Sequence, residues 1–154
     1  MIRNGGSPTA MNKRGTKVHL DGYVFDSRKE ADFYERFIKS CGYDYVVHPR
    51  YQLTRQTIIG PAKIAAIAYT PDFIVYDKDG NIMHVYDVKN SFGDYGIDRA
   101  VRLRFKLFAL NEGIPVEAVV IRKYDFKVKL QGTTKSKKEP LVTSNVNYSW
   151  TDLI

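Results

Sequence analysis

The sequence predicts an α/β (α+β) domain, in which a central mixed sheet of about four strands is flanked by two helices and preceded by an extra hairpin. Short runs rich in β-branched and aromatic residues alternate with two amphipathic helical patterns. These patterns are interspersed along the chain, which favours one sheet covered by helices. Asp-Gly pairs at 21–22 and 79–80 each separate two strand patterns, and such pairs favour tight hairpin turns.

The composition is that of a basic globular protein. Of the 154 residues, 44% are hydrophobic and 27% are charged, as in ordinary soluble domains. No apolar run reaches the roughly 18 residues needed to cross a bilayer, so we expect no membrane association. A single cysteine, Cys41, offers no internal disulfide and favours a cytoplasmic protein. The net charge of +7 favours a polyanionic partner, nucleic acid first.

Charge and turn residues divide the chain into three segments. Residues 1–16 are polar and rich in Gly, Ser, Lys and Arg, which predicts a flexible N-terminal arm. Residues 17–130 predict the folded domain. Residues 131–154 begin with a basic stretch and predict a tail, whose last part either docks on the domain or stays loose.

The first elements of the domain are a hairpin and a helix. Residues 17–26 predict two short strands around the first Asp-Gly turn. Residues 27–42 predict a helix, because Ser27 followed by Glu30 matches a capping box and Gly42 favours termination. One apolar stripe follows this helix, formed by Ala31, Tyr34, Phe37, Ile38 and Cys41.

The remaining elements supply the rest of the sheet and the second helix. Residues 43–53 predict a strand that is interrupted or ends near Pro49, and residues 54–65 fit either a mobile loop or strand extensions. Residues 69–90, "YTPDFIVYDKDGNIMHVYDVKN", predict two strands around the second Asp-Gly turn. The second helix and the final strand are predicted at 96–113 and 114–124.

The second turn brings three charges together at one end of its strand pair. A two-residue loop at 79–80 sets a register in which Asp72 faces Asp87. Lys89 lies on the same face as Asp87, because side chains alternate along a strand. Facing carboxylates repel each other, and a divalent cation such as Mg²⁺ relieves that repulsion. The alternative is a solvated strand end at which Lys89 bridges the two carboxylates.

These residues form a motif that resembles the catalytic hairpin of the PD-(D/E)xK nuclease superfamily. Pro71-Asp72 matches the first half of the motif, and "DVK" at 87–89 matches the second half. Members have a restriction-endonuclease-like core of order α-β-β-β-α-β, which resembles the predicted order from residue 27 to residue 124. With "FDSRKEADFY" before the motif, the chain also resembles small nucleases of phages and prophages, and Holliday junction resolvases share the core.

The resemblance implies a metal-dependent endonuclease that hydrolyses phosphodiester bonds in DNA, including branched DNA, and acts as a homodimer in a bacterial or phage-infected cytoplasm. It implies one or two Mg²⁺ or Mn²⁺ ions held by Asp72, Asp87, Glu30 and the backbone carbonyl of Val88. Lys89 would assist the attack of water on the phosphate. Two alternatives stay open: a non-catalytic DNA-binding or accessory module on the same fold, and a protein that acts on RNA.

Glu30 has two competing roles. Many superfamily members carry a glutamate on the first core helix as an additional metal ligand, and Glu30 falls there. As the third helical residue after Ser27, the same side chain would instead close the capping box. One carboxylate cannot fill both roles at once.

The second helix and the loop before it carry residues that suit DNA. Arg99, Arg102 and Lys106 share one helix face, which predicts either a solvated surface or contacts with phosphates. Arg104 falls amid the apolar face, so it either extends to solvent or reaches the catalytic edge of the sheet. Tyr95, in the loop, predicts a stacking contact or hydrogen bond with nucleic acid.

The three histidines are predicted to have structural roles. His19 lies in the first hairpin, His48 precedes Pro49, and His84 faces away from Asp87. Their spacing matches no zinc-binding motif.

Overall fold

The computed structural model describes residues 16–154, and it shows a mixed α+β domain. A large mixed sheet is flanked by two helices, which confirms the predicted class at that level. The arm predicted at 1–16 lies, apart from its last residue, outside the described residues.

The predicted N-terminal hairpin is present. Strands β1 (Val18–Leu20) and β2 (Tyr23–Phe25) pair antiparallel. Asp21 and Gly22 form the loop between them, with φ angles of 53° and 81°. Two consecutive positive φ angles are characteristic of a type I′ turn, and Asp-Gly adopts them readily.

The first helix follows the hairpin directly. Helix α1 spans Arg28–Phe33 and continues as a π-helical turn over Tyr34–Ile38. Ser27 is its N-cap, because the Ser27 hydroxyl accepts a hydrogen bond of 3.1 Å from the Glu30 N–H. The predicted apolar stripe is the buried side of this helix, except that Cys41 is only half-buried.

In the described part of the chain, ten further strands, one α-helix and a closing 3₁₀ turn follow. The strands are β3 (Tyr45–Val47), β4 (Tyr51–Gln52), β5 (Thr57–Ile59), β6 (Ala62–Ile64), β7 (Ala68–Tyr69), β8 (Phe73–Tyr76), β9 (Ile82–Val88), β10 (Glu117–Ile121), β11 (Phe126–Leu130) and β12 (Leu141–Thr143). Helix α2 spans Arg99–Glu112, and the 3₁₀ turn spans Trp150–Leu153.

Six of these strands form the central sheet, in the order β12-β11-β10-β9-β8-β3. Strands β9 and β10 pair parallel, and the other neighbours pair antiparallel, so the sheet is mixed. The prediction of about four strands was wrong, because β11 and β12 were not recognised as strands.

The C-terminal segment docks on the domain, a point that the sequence left open. Strand β12 extends the sheet beside β11, and Leu153 in the closing turn is 3% exposed. His84, in the sheet, donates a hydrogen bond of 2.8 Å from Nε2 to the Val146 carbonyl. Its Nδ1 lies 2.7 Å from the buried Glu117 carboxylate. His84 therefore ties the C-terminal segment to the sheet.

Alternation of side chains divides the core between the two faces of the sheet. Phe73 and Tyr86 pack on the face that α1 covers. Ile74 and Val85, which alternate with them, pack on the face that α2 covers. Asp87 lies two positions after Val85, so it shares the α2 face.

Strands β4 to β7 form a ribbon of two strand pairs outside the central sheet, on the α2 side of the domain. Strands β4 and β7 pair antiparallel, and the Tyr69 ring lies 5.6 Å from the rings of both Phe105 and Phe108 on α2. Beyond them, β5 and β6 form a second hairpin. Residues 54–65 therefore form a separate hairpin, rather than the loop or the strand extensions that the sequence suggested.

Helix α2 has a cap at each end. The Asp98 side chain accepts a hydrogen bond of 2.9 Å from the Val101 N–H at its start. Gly113 ends the helix with a φ of 72°. Within residues 16–154, no helix combines the length and the apolar character that crossing a membrane requires.

Candidate active site

The turn between β8 and β9 differs from the predicted two-residue loop. The Asp77 N–H donates to the Asn81 carbonyl at 2.8 Å, so the loop has three residues, 78–80. The Asp77 carboxylate also accepts hydrogen bonds of 2.9 Å from the backbone N–H groups of Asp79 and Asn81. Gly80 completes the turn with a φ of 84°. This longer loop displaces the pairing of the two strands by one residue.

A β-bulge restores the register that the longer loop displaces. The pairing shifts by one residue after Val75, so that Phe73 faces Tyr86, as a two-residue loop would require. Asp72 and Asp87 are the next residues along the two strands. The predicted proximity of the two carboxylates is therefore present, and it results from two irregularities that cancel.

Asp72 is half-buried, and the backbone of the neighbouring strand anchors its carboxylate. Its Oδ2 accepts a hydrogen bond of 2.7 Å from the Val88 N–H. Burial raises the pKa of Asp72 well above its usual value, and the negative charges of Asp87 and Glu30 raise it further. The hydrogen bond from the Val88 N–H lowers this pKa, but by less. Asp72 therefore lies in a field of negative charge that a cation would relieve.

Asp87 is 5% exposed, and two side chains hold its carboxylate. The Tyr69 hydroxyl donates to Oδ2 at 2.6 Å, and Lys89 Nζ lies 2.8 Å from Oδ1. Burial and then Asp87 raise the pKa of Tyr69 well above its usual value, so the phenol stays protonated. Burial lowers the pKa of Lys89, but Asp87 and Asp72 outweigh that effect and leave the pKa raised. Asp87 is therefore paired with a charged ammonium.

These side chains line one cavity, which lies between the ribbon, α2 and the end of the β8–β9 hairpin that is opposite its turn. Its volume is about 250 Å³, and it is lined by Ala68, Tyr69, Thr70, Asp72, Asp87, Lys89, Val101 and Arg104. Arg104 contributes to this lining and is also exposed, so it reaches solvent at the edge where the carboxylates lie. Two acidic and two basic side chains face the same small volume.

Glu30 is buried but does not line that cavity. Its carboxylate pairs with Nε2 of His48, and this hydrogen bond raises the pKa of His48. Asp26 completes a cluster in which the possible ligand atoms of the three side chains lie within 4.8 Å of one another. Two of the three predicted carboxylate ligands thus share the cavity, whereas Glu30 acts on Asp72 through its charge. The Glu30 carboxylate makes no capping box.

The other residues predicted to bind DNA do not line the cavity. Arg102 fixes the loop before α2, because its Nε and Nη2 donate to the carbonyls of Ile97 and Phe92 at 3.1 and 3.2 Å. Tyr95, in this loop, is 95% exposed. On α2 itself, Arg99 and Lys106 are exposed, as is Arg104.

Sequence analysis missed the roles of Tyr69 and His48. Tyr69 reaches Asp87 from the ribbon, where it pairs with Tyr51. His48 adopts a left-handed φ of 52°, and its N–H donates to the Asp72 carbonyl at 3.0 Å. Both contacts join residues from different strands, so no motif spacing could reveal them. The structural role predicted for His48 overlooked its pairing with Glu30.

The fold and the cavity define an α+β domain with a site built from paired acidic and basic side chains. A family model described as "Protein of unknown function (DUF1064)" matches residues 11–139. This match covers most of the chain, which therefore belongs to the DUF1064 family. Searches of curated proteins and of solved structures gave no match.

Proposed function

We propose that this protein is a metal-dependent endonuclease that hydrolyses phosphodiester bonds in DNA. The observation that carries the proposal is the convergence of Asp72, Asp87 and Lys89, together with Arg104, on one cavity. The first three are the positions of the PD-(D/E)xK motif. A module that only bound DNA would gain nothing from two carboxylates at this point, because they repel phosphate.

The element order supports a restriction-endonuclease-like core. Elements α1, β3, β8, β9, α2 and β10 follow one another in the α-β-β-β-α-β order of that superfamily. The short strands between β3 and β8 lie outside the central sheet. In this interpretation, the N-terminal hairpin, the ribbon and strands β11 and β12 are additions to the core.

The donor set in the cavity fits a hard divalent cation, Mg²⁺ or Mn²⁺. Asp72 and Asp87 offer carboxylate oxygens, which these ions prefer. The hydrogen bonds that both carboxylates already accept leave further lone pairs free. Burial first, and then the charges of Asp87 and Glu30, raise the pKa of Asp72, so a cation at this carboxylate would favour its charged form. By the resemblance, the Val88 carbonyl and Glu30 would add ligands for one or two ions. Glu30 lies outside the cavity lining, so it would have to exchange its pairing with His48 for the metal.

Each side chain then has a separate task. The metal ion, when bound, would polarise the phosphate and lower the pKa of a coordinated water. Tyr69 fixes the orientation of Asp87 through its 2.6 Å hydrogen bond. Because Asp87 raises the pKa of Lys89, any cation that engages Asp87 frees Lys89 to act on the water or on a phosphate oxygen. Arg104 supplies a second positive charge for the phosphate.

The charge of the chain favours recognition of the DNA backbone and of DNA structure over sequence. A net charge of +7 suits contacts with phosphates, which carry no sequence information. We propose branched DNA, including four-way junctions, as the preferred substrate. A homodimer would supply one site for each of two strands, by analogy with the superfamily.

Cleavage assays test the proposal. The purified protein is incubated with supercoiled plasmid, a four-way junction and linear duplex, each with Mg²⁺, Mn²⁺ or EDTA. We expect cleavage with either metal and none with EDTA. Asp87→Asn and Lys89→Ala should lower the cleavage rate at least about 100-fold, because each removes a group that acts on the reacting atoms.

Matched controls come from the same hairpin. Asp79→Asn and Lys78→Ala remove the same charges from the exposed loop, and both variants should cut at the parental rate. If Asp87→Asn and Lys89→Ala also cut at that rate, the assignment of the site is wrong. Binding of DNA without cleavage in any metal would favour the non-catalytic module, and cleavage of an RNA junction alone would favour an RNA substrate.

A further inference from the structure

We propose that the β5–β6 hairpin is a DNA-contacting arm, which places an aliphatic surface against a groove of the duplex beside the cavity. The inference rests on the proposed function, because the cavity marks where the DNA backbone enters. Binding can nevertheless be measured without cleavage, so the two proposals fail in distinguishable ways.

The hairpin exposes large aliphatic side chains. Ile58, Ile59 and Ile64 are 73%, 64% and 51% exposed. Strand pairing places Ile59 and Ile64 on one face with Thr57 and Ala62. Neither hydrophobic core of residues 16–154 includes any of these side chains. Ile58 lies on the other face, paired with Lys63. Large exposed aliphatic side chains on both faces of one hairpin indicate contact with another molecule.

The charge around this surface favours a polyanion as the partner. Between Pro49 and Pro71 the sequence has no Asp or Glu, whereas it has Arg50, Arg55 and Lys63. Both basic side chains are exposed, Lys63 on strand β6 of the hairpin and Arg55 at its base. A second copy of the same basic face would be repelled, whereas DNA would be attracted. The sequence and the exposure together select DNA over self-association.

The base of the arm is fixed to the wall of the cavity. Strand β7, which follows the arm, supplies Ala68 and Tyr69 to the cavity lining. The Leu53 N–H donates to the Ile67 carbonyl at 2.7 Å across the ribbon. Asn111 on α2 donates to the Leu53 carbonyl, also at 2.7 Å. A duplex with one phosphate in the cavity would therefore pass beside the arm.

The shape and chemistry of the arm suit a DNA groove. A two-stranded ribbon is narrow enough to enter a groove of the duplex. Gly60, with a φ of 58°, and Pro61 form the two-residue turn at its tip, between Ile59 and Ala62. Isoleucine and proline are among the side chains that DNA-bending proteins insert as apolar wedges. The tip therefore presents wedge-forming residues with basic residues behind them.

Fluorescence anisotropy with a labelled four-way junction and a labelled duplex, both in EDTA, tests the arm directly. The triple variant Ile58→Ser/Ile59→Ser/Ile64→Ser should raise the Kd at least tenfold and leave the Tm unchanged, because the three side chains are exposed. Arg55→Gln/Lys63→Gln should also weaken binding and reduce the slope of log K against log salt by about 2. Val24→Ser/Leu110→Ser removes exposed aliphatic side chains elsewhere and should bind like the parent.

A local probe and a mass measurement complete the test. Ile59→Trp, in a Trp150→Phe background, places the only indole on the arm, and added duplex should change its fluorescence. If the triple variant binds like the parent and the indole does not respond, the arm is not a DNA contact. If sedimentation shows a dimeric parent and a monomeric triple variant with unchanged DNA affinity, the surface serves self-association and the inference is also overturned. The parent's metal-dependent cleavage judges the nuclease proposal separately.

Discussion

Replacing Asp72 by asparagine is expected to stabilise the metal-free protein and to abolish its response to Mg²⁺. Burial and the negative charges of Asp87 and Glu30 raise the pKa of Asp72, so its charged form is unfavourable in the folded state. Asparagine keeps the oxygen that accepts the hydrogen bond from the Val88 N–H. The substitution therefore removes repulsion and preserves shape.

Coulomb's law gives the size of the expected gain. Facing side chains on paired strands lie about 5 Å apart, and two like charges at that distance repel by about 3 kcal/mol at an effective dielectric constant of about 20. Lys89, at 2.8 Å from Asp87, offsets part of this repulsion. A net gain of roughly 1–2 kcal/mol should raise the Tm by about 2–8 °C for a domain of this size.

Thermal unfolding in EDTA and in Mg²⁺ measures both effects of Asp72→Asn. At ten times its Kd, Mg²⁺ should stabilise the parent by about 1.4 kcal/mol, whereas the variant lacks a ligand and should not respond. The variant's advantage in EDTA should also grow with pH. A carboxyl whose pKa is raised by folding destabilises the fold as the pH rises from about 3.9 through that raised pKa, and the variant has no such group.

Asp79→Asn, on the exposed loop of the same hairpin, is the control and should change neither the Tm in EDTA nor the Mg²⁺ response. A Tm for Asp72→Asn below that of the parent in EDTA would refute the electrostatic reasoning, because the carboxylate would then be stabilising. A parent whose Tm ignored both Mg²⁺ and Mn²⁺ would refute the donor set.

Three further substitutions test other contacts. Tyr69→Phe should lower the cleavage rate about tenfold with little change in KM, because Asp87 loses its orienting hydrogen bond; an unchanged rate would contradict this role. His84→Ala removes the hydrogen bonds to the Val146 carbonyl and to Glu117, which keeps only its bond from Tyr148. It should cost about 2–4 kcal/mol in urea unfolding, and a loss below about 1 kcal/mol would show that these contacts are not structural. Asp87→Asn should tighten DNA binding in EDTA several-fold by anisotropy, because a negative charge leaves a cavity that Arg104 also lines, and weaker binding would contradict that electrostatic account.

Local signals predicted the β1–β2 and β8–β9 hairpins and both helices, whereas the β5–β6 hairpin and one edge of the sheet were missed. Asp21-Gly22 and Ser27 act within a few residues, so their effects follow from sequence alone. Strand β11, Phe126–Leu130, alternates buried apolar residues with half-buried lysines, and this alternation is itself a strand signal that was overlooked. Strand β12 has only three residues and depends on pairing with β11, so no local pattern defines it.

The correct register at the candidate site did not follow from the turn rule alone. The four residues Asp77–Gly80 place aspartate first and glycine fourth, which also suits a type I turn. That turn forms, and without a bulge it would place Tyr86 opposite Asp72 and turn Asp87 to the other face of the sheet. The bulge after Val75 restores the register, but it has no local sequence signal. Long-range packing therefore completed what the Asp-Gly pair only suggested.

The acidic and basic side chains that line the cavity balance each other, and this balance should couple the binding of metal to the binding of DNA. Asp72 and Asp87 oppose Lys89 and Arg104, and Lys89 is held by Asp87 at 2.8 Å. Under the proposed function, a phosphate alone would compete with Asp87 for Lys89, and a cation alone would compete with Lys89 for Asp87. With both present, the cation would engage Asp87 and the phosphate would engage Lys89, so each would remove the competitor of the other. Metal and DNA should therefore bind with positive coupling, which would confine hydrolysis to the state in which both are present.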